Sequence, residues 1–216
     1  MCYPSTRRPE LPTDPEIYCE CMEDMLPRFR LARSILYRTV TSGVELLDTE
    51  ILFLQFRKML EQIAFASLVA NKAVYSAARA KFANDWRAKK MLEYLAQVNP
   101  EFYPVPLRLV STTPRGDGTN FHQLEPLTDG FLTKDEFVEL YDYCADILHV
   151  WNPYDSRSRT INVRLHVRDW LSRIEQLVSL HQAQLVSGSC WVAAVPDKDG
   201  KVHTYPAQPA DEVPPV

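Results

Sequence analysis

Glycine is scarce, six in 216 residues, and none of the six builds a G-x-x-x-x-G-K-[ST] or G-x-G-x-x-G loop. The backbone therefore has no ready cradle for a nucleotide phosphate. G-x-S-x-G and H-E-x-x-H are also missing, which speaks against the common hydrolase and zinc-protease classes. No excess of basic residues exists either: the formal charge is −4 and the pI about 5.8, giving no general pull on polyanions. No apolar run reaches the roughly 18 residues that span a bilayer, and no amino-terminal stretch resembles a signal peptide. The expected setting is cytoplasmic, without a membrane partner. The five cysteines are an odd number, and the Cys19/Cys21 pair lacks a second pair of Cys or His at zinc-site spacing. Neither a disulfide framework nor a structural metal is expected, and no cofactor is implied.

What the chain does have is apolar content, 46% of residues, enough to fill a core in one domain of ordinary size. Residues 1–13 read as a flexible amino-terminal arm and 206–216 as a disordered Pro-rich tail. Between them, 14–181 reads as a helical bundle with a β-hairpin inserted near 107–125, and 182–205 as a carboxy-terminal β-hairpin appendage. The expected fold class is thus mainly α: a bundle of about five helices with one or two small β-hairpins. The first helix runs from Asp14 towards Arg38, with a kink or a break into two pieces near Leu26 caused by Pro27. The second, about Val44 to Val74, is apolar nearly all the way around and so central. A third covers roughly Ser76 to Val98. The hairpin pairs Leu107–Thr112 with Asn120–Leu124 across a Gly-Asp-Gly turn. Thr133 and Glu136 form a capping box that opens the fourth helix, stopped by Pro153. The fifth spans about Thr160 to His181, with Val163, Val167, Trp170, Leu171, Ile174, Leu177 and Val178 on one stripe.

Three groups of residues invite chemical questions. On the central helix, Glu50, Arg57 and Glu61 share a polar stripe flanked by Leu47, Leu54 and Phe65 on one side and Phe53, Leu60 and Ala64 on the other. If that stripe faces protein, the Arg57–Glu61 pair lines a cleft or a polar dimer seam; if it faces water, the pair contributes only a few tenths of a kcal/mol. His149 and Asn152, in "ADILHVWNPY", lie where a binding group would be presented, but helix-end capping accounts for both. The most basic segment, "RSRTINVRLHVRDW", carries Arg157, Arg159, Arg164 and Arg168 against one Asp. Either it touches phosphate or it is a solvated face.

The central helix with "FRKMLEQIAFASLVAN", an Arg-x-x-x-Glu inside an apolar helix, and the later helix ending in "LHVWNP" together resemble the HEPN superfamily over roughly residues 20–181. That resemblance implies a small helical bundle, a homodimer, and in many members a metal-independent ribonuclease of a toxin or phage-defence system. The family signature sets an Arg and then a His on a late helix with four to six residues between them. At His149 the allowed positions hold Asp142, Tyr143 and Cys144, so the signature fails there. Arg115 with His122 and Arg159 with His166 do match, and "RTINVRLH" is the better match because it is basic and enters a helix. Within that resemblance, His166 would move the 2′-hydroxyl proton of RNA while Arg159 or Arg164 holds the growing phosphate charge. Thr160, at the usual polar second position, is only mildly polar. Two functions follow: a non-catalytic module binding RNA, a nucleotide or a partner protein, or alternatively the ribonuclease. The failed signature at His149 favours the module.

Overall fold

In the computed structural model the described residues are 13–72, 88–116, 118–150, 154, 164–196 and 199–207. Helix α1, Asp14–Glu23, opens with Thr13, whose backbone amide and hydroxyl both donate to Glu16 Oε2, at 2.6 and 2.8 Å. Of the kink or break expected near Leu26 the structure has the break: α2 is Met25–Leu36, and the two helices part at Asp24. Pro27 explains the position. It sits in the first turn of α2, where its missing N–H costs nothing, whereas a continuous helix would need that N–H for the carbonyl of Glu23.

Helix α2 ends in a Schellman motif, the Thr39 amide donating to Ser34 O at 2.9 Å and the Arg38 amide to Ile35 O at 3.0 Å. The left-handed position, normally glycine, is held by Arg38 at φ 56°. Helix α3, Glu45–Ala70, starts on Val44, a residue that cannot cap. Asp48 compensates from within the helix, accepting from the Thr41 hydroxyl at 2.6 Å and the Ser42 amide at 2.7 Å, which straps the connection onto the first turn. Along α3, Leu52, Phe53, Phe56, Met59, Leu60 and Ile63 are buried against α1, α2, α4 (Ala88–Val98) and α5 (Lys134–Leu148). The centrality expected of this helix is observed, and so is the Thr133–Glu136 capping box of α5.

The mainly-α expectation is overturned. The fold is α+β, because the two supposed hairpins are parts of one five-stranded antiparallel sheet, ordered β2-β1-β3-β4-β5. Strands β1 (Val105–Pro114) and β2 (Asn120–Pro126) form the first hairpin. Strands β3 (Leu180–Gln184), β4 (Cys190–Ala194) and β5 (His203–Ala207) form a meander. Val105 opposite Gln182 and Pro106 opposite His181 join the two parts. The fifth expected helix is correspondingly shorter: α6 runs Val167–Val178, and residues 180–184 instead alternate between half-buried and buried in β3. Burial every second residue suits a strand, and ladder pairing to β4 and β1 overrides the helical continuation. Trp170, Leu171, Ile174, Leu177 and Val178 do form the buried stripe of α6.

Beyond Leu107 the β1–β2 ribbon leaves the core, and most of its residues are exposed on both faces. A register shift between Leu109 and Ser111 leaves Val110 unpaired. Cross-strand partners hold the ribbon in place of a core: Arg108 with Glu125 at 2.8 Å, Ser111 with Gln123 at 3.2 Å and Thr112 with His122 at 3.0 Å.

Candidate functional site

Arg57 and Glu61 lie half-buried on the outward side of α3, and the seam they form closes against the same chain. Arg57 Nε donates to Glu61 Oε1 at 3.2 Å, Nη2 donates to the Tyr141 hydroxyl at 3.3 Å, and the guanidinium lies 4.9 Å from the centre of the Tyr141 ring. Lys58 Nζ adds a bond to Glu61 Oε2 at 2.9 Å. Tyr141 is one of the buried residues of α5, so the seam staples α3 to α5. Cys144, one turn further, is buried, and its thiol is pushed up to about 12, which keeps it protonated and unreactive at neutral pH.

Of the residues expected to work on RNA, Arg159 lies outside the described residues. Arg164 has its guanidinium committed: Nε and Nη2 reach both oxygens of Glu139 at 3.0 to 3.1 Å, and Nη2 also reaches Glu136 Oε1 at 2.9 Å. Arg173 Nη1 meets the two Glu136 oxygens at 3.1 and 3.0 Å and the Phe131 carbonyl at 3.2 Å. Hydrogen bonds from Arg164 hold Glu139 below the usual carboxylate range. At Glu136 burial works in the opposite direction, but the bonds from Arg164 and the Thr133 amide outweigh it, and its carboxyl too is held low. Two arginines facing two carboxylates leave no net positive charge for a phosphate. His166 is the N-cap residue of α6 and is exposed. It lines a pocket of about 440 Å³ with Leu36, Val167, Arg168 and Asp169.

His149 is the exposed C-cap residue of α5, its amide donating to Ala145 O at 3.1 Å, while Asn152 lies outside the described residues. The structure therefore brings Arg57 and Glu61 together, engages Arg164 elsewhere, and sets His149 and His166 at the ends of different helices.

Two features went unanticipated. His181, expected to end a helix, is fully buried in β3, where Nε2 lies 2.6 Å from the Tyr18 hydroxyl and Nδ1 lies 2.9 Å from the Val178 carbonyl. Since the carbonyl accepts only, Nδ1 carries the proton and Nε2 accepts from Tyr18, a neutral tautomer assigned from its partners. Burial lowers this imidazole to about 4, and the Tyr18 phenol is pushed far up by the same desolvation.

The second feature is an exposed apolar surface. Tyr37, Val40, Val44, Leu46, Leu47 and Leu54 are between 41% and 64% exposed. All six fall on the α2–α3 connection and the first turns of α3, next to the His166 pocket through Leu36, while Arg168 stacks 5.7 Å over the Tyr37 ring. The sequence signal was available: "YRTVTSGVELL" places large apolar residues in a Ser-Gly turn, where polar ones are usual. A single exposed apolar residue needs no explanation, but six along one stretch of chain make a candidate interface.

Among the described residues no cluster of His, Cys, Asp or Glu could hold a metal ion, and no helix is long and apolar enough to cross a membrane. No protein-family model, curated protein or solved structure matches the chain.

Proposed function

We propose that the chain is a non-catalytic binding module whose partner is protein, acting in the cytoplasm and engaging that partner at the α2–α3 end. The observation that carries this reading is the run of exposed apolar side chains from Tyr37 to Leu54. Water contact with that surface is unfavourable by roughly 25 cal/mol for each Å² of apolar area, so a partner that covers it gains binding free energy. The HEPN resemblance contributes the homodimer as the first partner to consider.

Against RNA or a nucleotide stands the electrostatics of the segment that resemblance selects. Phosphate binding needs unpaired cationic groups, and Arg164 already faces Glu136 and Glu139. The thiols of Cys19, Cys21, Cys144 and Cys190 are free, which suits a reducing compartment.

The test sets both readings side by side. Purified chain is incubated with total tRNA in EDTA, beside a His166→Ala control, and tRNA and ATP binding are measured by filter retention near physiological salt. The module reading expects intact tRNA and retention of neither probe. Cleavage that the control abolishes would establish the ribonuclease instead; tRNA retention without cleavage would make RNA the partner.

A further inference from the structure

The outward face of α3 carries a charge order that identifies one partner. At 100° per residue, Leu47, Glu50, Ile51, Leu54, Lys58 and Glu61 share that face, with Leu54 at its centre. Residues 47 and 54 are exposed, while 50, 51 and 61 are half-buried. The amino-terminal half of the face is apolar with an acidic residue, Glu50. The half beyond Leu54 is basic at Lys58 and Arg57 before reaching Glu61.

We infer that a second copy of this chain covers the face, its α3 antiparallel to the first and Leu54 on the two-fold axis. The inference rests on the protein-partner reading above and adds the surface and the register. A two-fold about Leu54 sets Glu50 of each copy opposite Lys58 of the other, and symmetry makes the contact twice. Leu47 then falls opposite Glu61 of the second copy, between Lys58 and Phe65, with its aliphatic side chain along the methylene stems of Glu61 and Lys58. The charges decide against two other arrangements. Sliding the helices until Leu47 covers Leu54 of the other copy gathers both Glu50 carboxylates near the axis. A parallel pairing stacks Glu50 on Glu50 and Lys58 on Lys58. Of these three arrangements the antiparallel register about Leu54 is the one that pairs opposite signs, and like charges at such contacts are what specificity is built against. Arg57 takes no part, being held by Tyr141 and Glu61. Lys58 Nζ is bonded to Glu61 on the helix surface, at 2.9 Å with the lysine side chain 47% exposed, and can reach across to a second carboxylate.

The experiment is sedimentation equilibrium on the full chain, with circular dichroism melts to confirm folding. Wild type is expected to approach twice the 24.9 kDa chain mass with rising concentration. Leu54→Glu, at an exposed position, is expected to fold normally and stay monomeric. Glu50→Lys and Lys58→Glu should each weaken association about fivefold, as two symmetric exposed pairs would; the double charge exchange should restore it. A short bismaleimide should link Leu54→Cys chains to one another faster than wild-type chains or Leu47→Cys chains. A monomeric wild type, or a dimer indifferent to Leu54→Glu, overturns the surface. A double exchange no better than the singles overturns the register. Neither result touches the protein-partner reading, which fails only if the chain retains or cleaves tRNA.

Discussion

Tyr18 and His181 show how much one buried polar pair decides. The phenol donates to an imidazole that burial keeps neutral and whose other nitrogen donates to the Val178 carbonyl. Tyr18→Phe leaves that imidazole nitrogen buried and unpartnered, at an expected cost of about 1 to 3 kcal/mol in chemical denaturation. The pH dependence has a definite sign. Unfolded, His181 takes up its proton near 6.5, while folded it does so only at about 4. Between those values the unfolded chain binds more protons, so stability from this group is full above 6.5 and is lost as pH falls towards 4. The loss is on the order of 3 kcal/mol. Denaturation midpoints across this window should slope for wild type and slope less for His181→Gln; parallel slopes would contradict the pair. Arg38 is the other telling residue, occupying a left-handed position at φ 56°. Arg38→Gly should raise stability by about 1 kcal/mol, read as a higher melting temperature, because glycine meets no Cβ penalty there.

Among the elements, α5 and α6 are tied by one carboxylate. Glu136 closes the capping box of α5 and also receives Arg164 and Arg173, whereas Glu139 receives Arg164 and the Tyr143 hydroxyl. Glu136 is the more buried, its side chain 13% exposed against 29% for Glu139. Glu136→Ala should therefore cost about 2 kcal/mol, because it strands Arg173 and uncaps a helix, while Glu139→Ala should cost under about 1 kcal/mol. Equal effects in thermal melts would sink that ranking. The elements also mark what a sequence can tell. Helices α3, α5 and the stripe of α6 were legible because a 3.6-residue period and a capping box are local properties. The single sheet was not, because Val105 and Gln182 lie far apart in the sequence and no local pattern records their pairing. The end of α6 was misplaced for the same reason: "LHQAQ" acquires strand character from its neighbours in the ladder.

As a whole, the molecule is a helical body closed on one side by a sheet, with a β-ribbon leaving the core and an apolar surface where α2 turns into α3. The central helix and its charged seam were visible in the sequence as a polar stripe on an apolar rod. What covers that seam was not, since the partner of Arg57 is Tyr141, a residue of a distant helix. The expected RNA site fared differently, because the acids that engage Arg164 come from α5. The central proposal is that a second copy of this chain covers the surface from Tyr37 to Leu54. Amide hydrogen exchange, followed by mass spectrometry at low and high chain concentration, tests it most directly. Peptides covering residues 37–58 should exchange more slowly as concentration rises, while the β1–β2 ribbon stays unchanged. Protection that ignores concentration there, or rises only on the ribbon, would contradict the account.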